Sequence, residues 1–158
     1  MKQYLTIHHR IQELIGFVTG IASLIVAIVM MGVIKHPIPV HYDWAGNVTK
    51  YGSVGIVIMM PVILLPTILI LLAATHLFPL SMWSLPVKPK PGREVIIYRL
   101  SAYLVTLYTM LTGIYSLVSV IGMGLGLEGL VGKASIILCV LMILLAVVVI
   151  VLSVRANR

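Results

Sequence analysis

The chain has 158 residues, of which 61% are hydrophobic and only 9% are charged. Soluble domains carry about 25% charged residues, so this composition argues against a soluble globular enzyme, and it excludes a disordered chain. The formal net charge is +7. The basic residues flank apolar stretches instead of forming one patch, which argues against nucleic acid and favours membrane lipids as partners.

Four apolar stretches are long enough to cross a membrane as helices, which takes roughly 20 residues each. They are continuous rather than alternating, which favours helices over a β-barrel. We therefore predict a single integral membrane domain over residues 1–158. Its fold class is an all-α four-transmembrane-helix bundle with an ordered extracytoplasmic loop between helices 1 and 2, and its spans cover residues 14–34, 54–75, 100–123 and 134–154.

The distribution of Lys and Arg predicts the orientation of these spans in the cell membrane. Eight basic residues lie in the two termini and the second connection, on one side of a four-span protein. Only Lys35, Lys50 and Lys133 lie on the other side. Because cytoplasmic segments are enriched in Lys and Arg, we predict that both termini are cytoplasmic and that the first connection faces outward.

Span one carries a strip of small residues at helical spacing, which allows helix backbones to approach closely in lipid. The strip consists of Gly16, Thr19, Gly20, Ser23 and Ala27. Packing within the chain is favoured over homodimerisation through the Gly16-x-x-x-Gly20 motif, although the motif is compatible with both.

Span two contains Pro61 and Pro66, and each proline removes a backbone donor and tends to kink a helix. His76 follows at the predicted cytoplasmic end of this span, near Trp83. We interpret His76 as an interfacial residue beside an aromatic belt.

Span three is the most polar, and its hydroxyl groups recur with a period near 3.5 along one face. This face either holds the bundle together, at about 0.6 kcal/mol per hydrogen bond, or lines a polar cavity for a small ligand or a lipid headgroup. Span four is almost featureless and is predicted to have the largest lipid-facing share. The face of span three comprises Ser101, Tyr108, Thr112, Tyr115 and Ser119, broadened by Tyr103, Thr106 and Thr109.

Between their predicted limits the four spans contain no Asp, Glu, Lys, Arg or His. Ion-coupled pumps and transporters place such residues within the membrane, so ion coupling is disfavoured. No paired Asp, H-E-x-x-H or Ser/His arrangement occurs in the spans either, which disfavours intramembrane proteolysis. We therefore predict a protein that is not an enzyme and that needs no cofactor.

The first connection, residues 35–53, is the densest polar segment outside the tails. Its prolines predict an extended entry, and Ala45 to Asn47 predict a turn. Tyr42, Trp44 and Tyr51 suit the headgroup layer, so we predict a compact cap over the outer mouth of the bundle.

This loop resembles that of the SdpI-like integral membrane proteins, a family defined by a domain of unknown function numbered 1648. The family loop has the form I-P-x-H-[FW]-[ND]-x-x-G-x-x-D-x-[YW]-G-[ST]-K. Two positions depart from it, because Thr49 stands where an acid is usual and Val54 where Lys is usual. The matching positions are Pro39, His41, Asp43, Gly46, Tyr51, Gly52 and Ser53.

The resemblance implies a prokaryotic membrane protein that gives immunity to a secreted toxin peptide or signals at the membrane. A hydrophobic peptide or a protein would then be its partner, with the outer-loop motif as the binding element. Two alternatives stay open, namely an accessory subunit of a larger membrane complex and a small-molecule transporter.

His36, His41 and Asp43 could together hold zinc, but the pattern is short and we predict no metal site. We favour a structural role, in which Asp43 accepts backbone N–H groups across the turn and His41 binds a carbonyl. A pH-sensing role for His41 is a further alternative.

Overall fold

The computed structural model describes residues 4–158, except for the side chain of Glu128. Within this range, four helices are long and apolar enough to cross a membrane, as the sequence predicts for an all-α fold. The second of them begins with a 3₁₀ turn, Val54–Ile58. The helices are α1 (Ile7–Val33), α2 (Met59–His76), α3 (Glu94–Gly124) and α4 (Glu128–Ala156). A hairpin of strands β1 (Ile38–Tyr42) and β2 (Val48–Gly52) joins α1 to α2.

Helix α1 begins at Ile7, two turns before the predicted limit at residue 14. Its start is fixed by the His9 ring, whose Nδ1 accepts a hydrogen bond of 3.0 Å from the backbone N–H of Thr6. A side chain three residues into a helix often satisfies the N-cap amide in this way. The earlier start brings His9 and Glu13 inside the first helix, where both are buried. Helix α1 therefore carries ionisable residues before the predicted limit of the first span at residue 14.

Helices α1 and α3 cross with their backbones in direct contact at Gly16 and Gly113. A Cβ atom on Gly113 would collide with the carbonyl oxygen of Gly16, so only glycine fits the crossing. Two turns further along, the hydroxyl groups of Ser23 and Ser116 are hydrogen-bonded at 2.7 Å. Gly20 faces Ile68 of α2. The small-residue strip of α1 therefore packs within the chain, as the sequence favoured.

Helices α1, α2 and α3 pack against one another, whereas α4 packs chiefly against α3. Most of the apolar surface of α4 is consequently exposed, and its most hydrophobic window is only 6% buried. This confirms that the fourth span has the largest exposed share. Helix α2 continues through Pro66, which lies in its interior.

The connections gather at two ends of the bundle. At one end, which we call the terminal end, Tyr4 contacts Trp83 of the α2–α3 connection, and Asn157 binds the same connection through Lys88 and Lys90. At the other, the hairpin end, Ile38 of β1 is fully buried in a core cluster with Val120 of α3 and other residues of α1, α3 and α4. This apolar contact joins the hairpin to the helices.

Candidate binding surface at the hairpin

The turn of the hairpin is built around the carboxylate of Asp43. Its Oδ1 accepts hydrogen bonds from the backbone N–H groups of Ala45 at 2.9 Å and Asn47 at 2.8 Å, and its Oδ2 accepts one of 3.0 Å from the Asn47 side chain. Gly46 has a φ of 83°, a left-handed conformation that favours glycine. The predicted turn and the predicted acceptor role of Asp43 both match these contacts.

The same contacts set the electrostatics of the turn. Hydrogen bonds from the Asn47 side chain and backbone, together with those from Ala45 and Gly46, lower the pKa of Asp43 below its ordinary value of 3.8. The bonds favour the charged form because an ionised carboxylate is the better acceptor. The turn therefore holds a negative charge at neutral pH.

His41 of β1 pairs with Lys50 of β2, and its ring contacts the neighbouring residue, Thr49. The ring Nδ1 of His41 is 2.5 Å from the hydroxyl oxygen of Thr49, and that hydroxyl lies 3.3 Å from the carbonyl oxygen of His41. The predicted bond from the His41 ring to a carbonyl is therefore wrong, because the ring meets a hydroxyl. In the SdpI-like family, whose loop this segment resembles, the position of Thr49 is usually occupied by an acidic residue.

The hairpin rests on the first turns of α4 through two glycines. A Cβ atom on Gly132 would collide with the carbonyl oxygen of Gly46 and with the ring of Tyr42, and one on Gly46 would lie 3.0 Å from the Lys133 nitrogen. On β2, a Cβ atom on Gly52 would lie 2.8 Å from Val40. Glycine at positions 46 and 132 lets the turn approach the backbone of α4 closely.

Two aromatic side chains of the hairpin face away from the bundle. Trp44, in the turn, is 99% exposed, and Tyr51 of β2 is 51% exposed. Pro39 of β1, which pairs with Tyr51, is buried instead. Exposed aromatic rings suit either the membrane interface or the centre of a binding interface.

The structure brings no metal-binding set together in the hairpin. Among the side chains that the structure describes, which leave out Glu128, no three His, Cys, Asp or Glu side chains are close enough to hold a metal ion. Both carboxylate oxygens of Asp43 accept hydrogen bonds within the turn. The Nδ1 atom of His36 lies 3.2 Å from the carbonyl oxygen of Pro37. The hairpin surface presents exposed aromatic rings and hydrogen-bonding groups.

The predicted hydroxyl face of α3 is divided between different neighbours. The Tyr108 hydroxyl donates to the carbonyl of Met142 on α4, and the Tyr115 hydroxyl is 2.6 Å from Ser135 of the same helix. Ser101 donates to its own helix at Ile97. Thr112 and Ser119 are buried. The bonds of Tyr108 and Tyr115 connect α3 to α4, which favours the interpretation that this face holds the bundle together.

A second polar group, which sequence reasoning missed, lies at the terminal end. We call Glu13, Thr75 and His76 the terminal-end cluster. The Thr75 hydroxyl donates to Glu13 Oε1 at 2.7 Å, and His76 Nε2 is 2.8 Å from Glu13 Oε2. His76, interpreted from the sequence as a simple interfacial residue, is thus the partner of a buried carboxylate. The signal in the sequence was the acid directly before the first apolar run.

His9, one turn before Glu13, is fully buried. Its Nδ1 accepts from Thr6, so the remaining ring nitrogen, Nε2, donates to the carbonyl of Arg99 at 3.3 Å. The His9 ring also lies against that of Tyr103, with 3.9 Å between the ring centroids. One ring nitrogen of His9 thus caps the start of α1, and the other connects it to the first turns of α3.

These features define a multi-pass helical membrane protein in class, with a β-hairpin at one end and a polar cluster at the other. Comparison of the chain with known protein families, with characterised proteins and with solved structures gives no match. Membership of the SdpI-like family, which the hairpin sequence suggests by resemblance, therefore stays a prediction.

Proposed function

We propose that this chain is a non-enzymatic protein of the prokaryotic cell membrane that binds a hydrophobic peptide at its outer face, in toxin immunity or in membrane signalling. In this proposal the hairpin is an ordered extracytoplasmic element, and both termini lie in the cytoplasm. The orientation is supported by the sequence, in which eight basic residues lie in the two termini and the second connection, against Lys35, Lys50 and Lys133 on the other side.

The exposure of Trp44 is the observation that carries the proposal. A tryptophan side chain that is 99% exposed buries no apolar area that would stabilise the fold. Its turn is nevertheless held by the hydrogen bonds of Asp43 and by the contact of Gly46 with Gly132. Tryptophan is enriched among the residues that dominate binding energy, because a large rigid ring buries much apolar area at small entropic cost. These contacts support the proposal, because a hydrogen-bonded turn presents a side chain suited to an apolar partner.

The test is survival of a deletion strain challenged with secreted hydrophobic peptides. Expression of the wild-type chain is expected to restore resistance, whereas W44A fails to do so and W44F retains most of it. The expected loss of peptide affinity for W44A is about 2 kcal/mol, or roughly 30-fold. Full protection by W44A, or none by the wild type against any peptide produced by the same cells, would overturn the proposal.

Orientation is checked separately by thiol labelling in intact cells. Cys139 is the single cysteine, so a C139S background allows A45C in the turn and P89C in the α2–α3 connection to be compared. A membrane-impermeant maleimide is expected to label A45C and to spare P89C until the cells are opened. The reverse result would place the hairpin inside the cell.

A further inference from the structure

A cavity of about 390 Å³ lies at the terminal end, in the gap between α2 and α4 over the surface of α3. Ala74 of α2, Val105 of α3 and Val149 of α4 form its sides, and Phe78 and Leu85 of the α2–α3 connection close it at the end. Its lining is mostly apolar. This size is near the lower end of the roughly 300–1,000 Å³ of small-molecule sites, which suits one acyl chain.

The face of α4 that lines the cavity becomes polar toward the end of the helix. Ala146 and Ile150 line the cavity, Ser153 follows one turn later, and Asn157 one turn after that. These positions recur at intervals of three and four residues, so they share one face. From Ile150 to Asn157 the helix rises by about 10 Å. Along this line of residues on one face of α4, the apolar cavity is therefore followed by the polar end of the helix.

Two polar atoms beside this line have no partner within residues 4–158. The hydroxyl of Ser153 is fully buried without a hydrogen bond, and so is the indole Nε1 of Trp83, a residue that lines the cavity. Buried donors are nearly always hydrogen-bonded, and each unsatisfied one costs about 1–3 kcal/mol. The indole N–H of Trp83 can only donate, so the partner it lacks is an acceptor, and the Ser153 hydroxyl can donate to an acceptor as well.

Positively charged side chains lie near Asn157, where this face of α4 reaches the protein surface. The Asn157 side chain accepts from the backbone N–H of Lys90 at 2.8 Å and donates to the carbonyl of Lys88 at 2.9 Å. The side chains of both lysines are exposed. Over residues 77–99 the sequence has four basic residues and one acid, Glu94. The surface beside the cavity therefore attracts anions.

We propose that this cavity is a binding site for an anionic phospholipid, with one acyl chain between α2 and α4 and the phosphate near Ser153, Lys88 and Lys90. An apolar chain matches the lining, and phosphate oxygens supply the acceptors that the buried donors lack. The lysines add the attraction that distinguishes an anionic headgroup from a zwitterionic one.

The test uses Trp83 as the reporter of occupancy. Trp44 is the other of two tryptophans, so the W44F variant of the full chain leaves the cavity residue alone to fluoresce. The protein is placed in nanodiscs of phosphatidylcholine, and phosphatidylglycerol with brominated acyl chains is added. Quenching of Trp83 is expected to saturate at a small mole fraction of the anionic lipid. Brominated phosphatidylcholine is expected to quench only in proportion to its mole fraction.

Variants in two parts of the site separate its chain and headgroup contacts. V149F fills the cavity and is expected to abolish the selective quenching, whereas V148F, on the exposed side of the same helix, leaves it unchanged. K88Q and K90Q are each expected to weaken the apparent affinity about fivefold, and K35Q at the hairpin end is the matched control. The exposed lysine variants keep the test valid if V149F fails to fold.

Equal quenching by the two brominated lipids would overturn the proposal. So would selective quenching that K88Q and K90Q both leave unchanged, because the headgroup would then lie elsewhere. Selectivity that falls as salt rises supports it, since the lysines are exposed and screened by ions.

Discussion

The hairpin and the terminal-end cluster are both polar, but they are built in different ways. The hairpin turn is held by contacts between residues two to four positions apart, from Asp43 to Ala45 and Asn47. The terminal-end cluster joins Glu13 to Thr75 and His76, which lie 62 and 63 positions away. The first depends on turn chemistry, the second on the packing of α1 against α2. The two regions should therefore respond differently to mutation and to pH.

The largest expected effect concerns the terminal-end cluster. The E13A variant removes the acceptor of Thr75 and the partner of His76, and hydrogen bonds to a charged group contribute about 1.5–3 kcal/mol each. We expect the free energy of unfolding in mild detergent to fall by about 3 kcal/mol, with unfolding that remains a single transition. E13Q keeps an acceptor for Thr75 and is expected to lose less. Equal stability of E13A and the wild type would remove the distinction between the two regions.

A smaller and more local effect is expected where the hairpin meets α4. In G132A the added methyl group collides with the Gly46 carbonyl and the Tyr42 ring, whereas G129A places its methyl group in open space. Overpacking of this kind costs about 1–3 kcal/mol. Amide hydrogen exchange of residues 43–50 is expected to accelerate in G132A and to stay unchanged in G129A. If exchange accelerates throughout the helices as well, the hairpin is not a separate unit.

The smallest effect is expected from the pH dependence of the turn. The pKa of Asp43 is lowered in the folded turn, so its contribution to stability is complete above the ordinary value of 3.8 and is lost as pH falls through the folded pKa. The amide resonances of Ala45 and Asn47 should stay constant from pH 7 to about 4 and move only below that. In D43N this movement should disappear. A midpoint above 4 in the wild type would contradict the turn geometry.

Sequence reasoning succeeded where the governing contacts are local. The turn at residues 45–47 and the acceptor role of Asp43 follow from the preferences of Gly, Asn and Asp. The small-residue strip of α1 also predicted close packing, and the structure places Gly16 against Gly113. In each case the residue type alone limits what the backbone can do.

Sequence reasoning failed where the contact partner of a residue could not be inferred from its immediate neighbours in the chain. Hydropathy set the first span to begin after Glu13, because a carboxylate is costly in lipid and nothing nearby in sequence compensates for it. The compensation comes from Thr75 and His76 at the end of α2. The ring of His41 was likewise assigned to a carbonyl, because its true partner, Thr49, depends on the register of the hairpin.

The sequence by itself determined the number of apolar spans, their approximate limits and the turn chemistry of the hairpin. These follow from the apolar composition of each segment and from the conformational limits of single residues. Only the tertiary structure decided that α4 lies at the side of the bundle, that Glu13 is buried among hydrogen-bond partners, and that a cavity lies between α2 and α4. These features depend on which helix faces pack together, and nearly uniform apolar sequences leave that choice to the shape of the side chains.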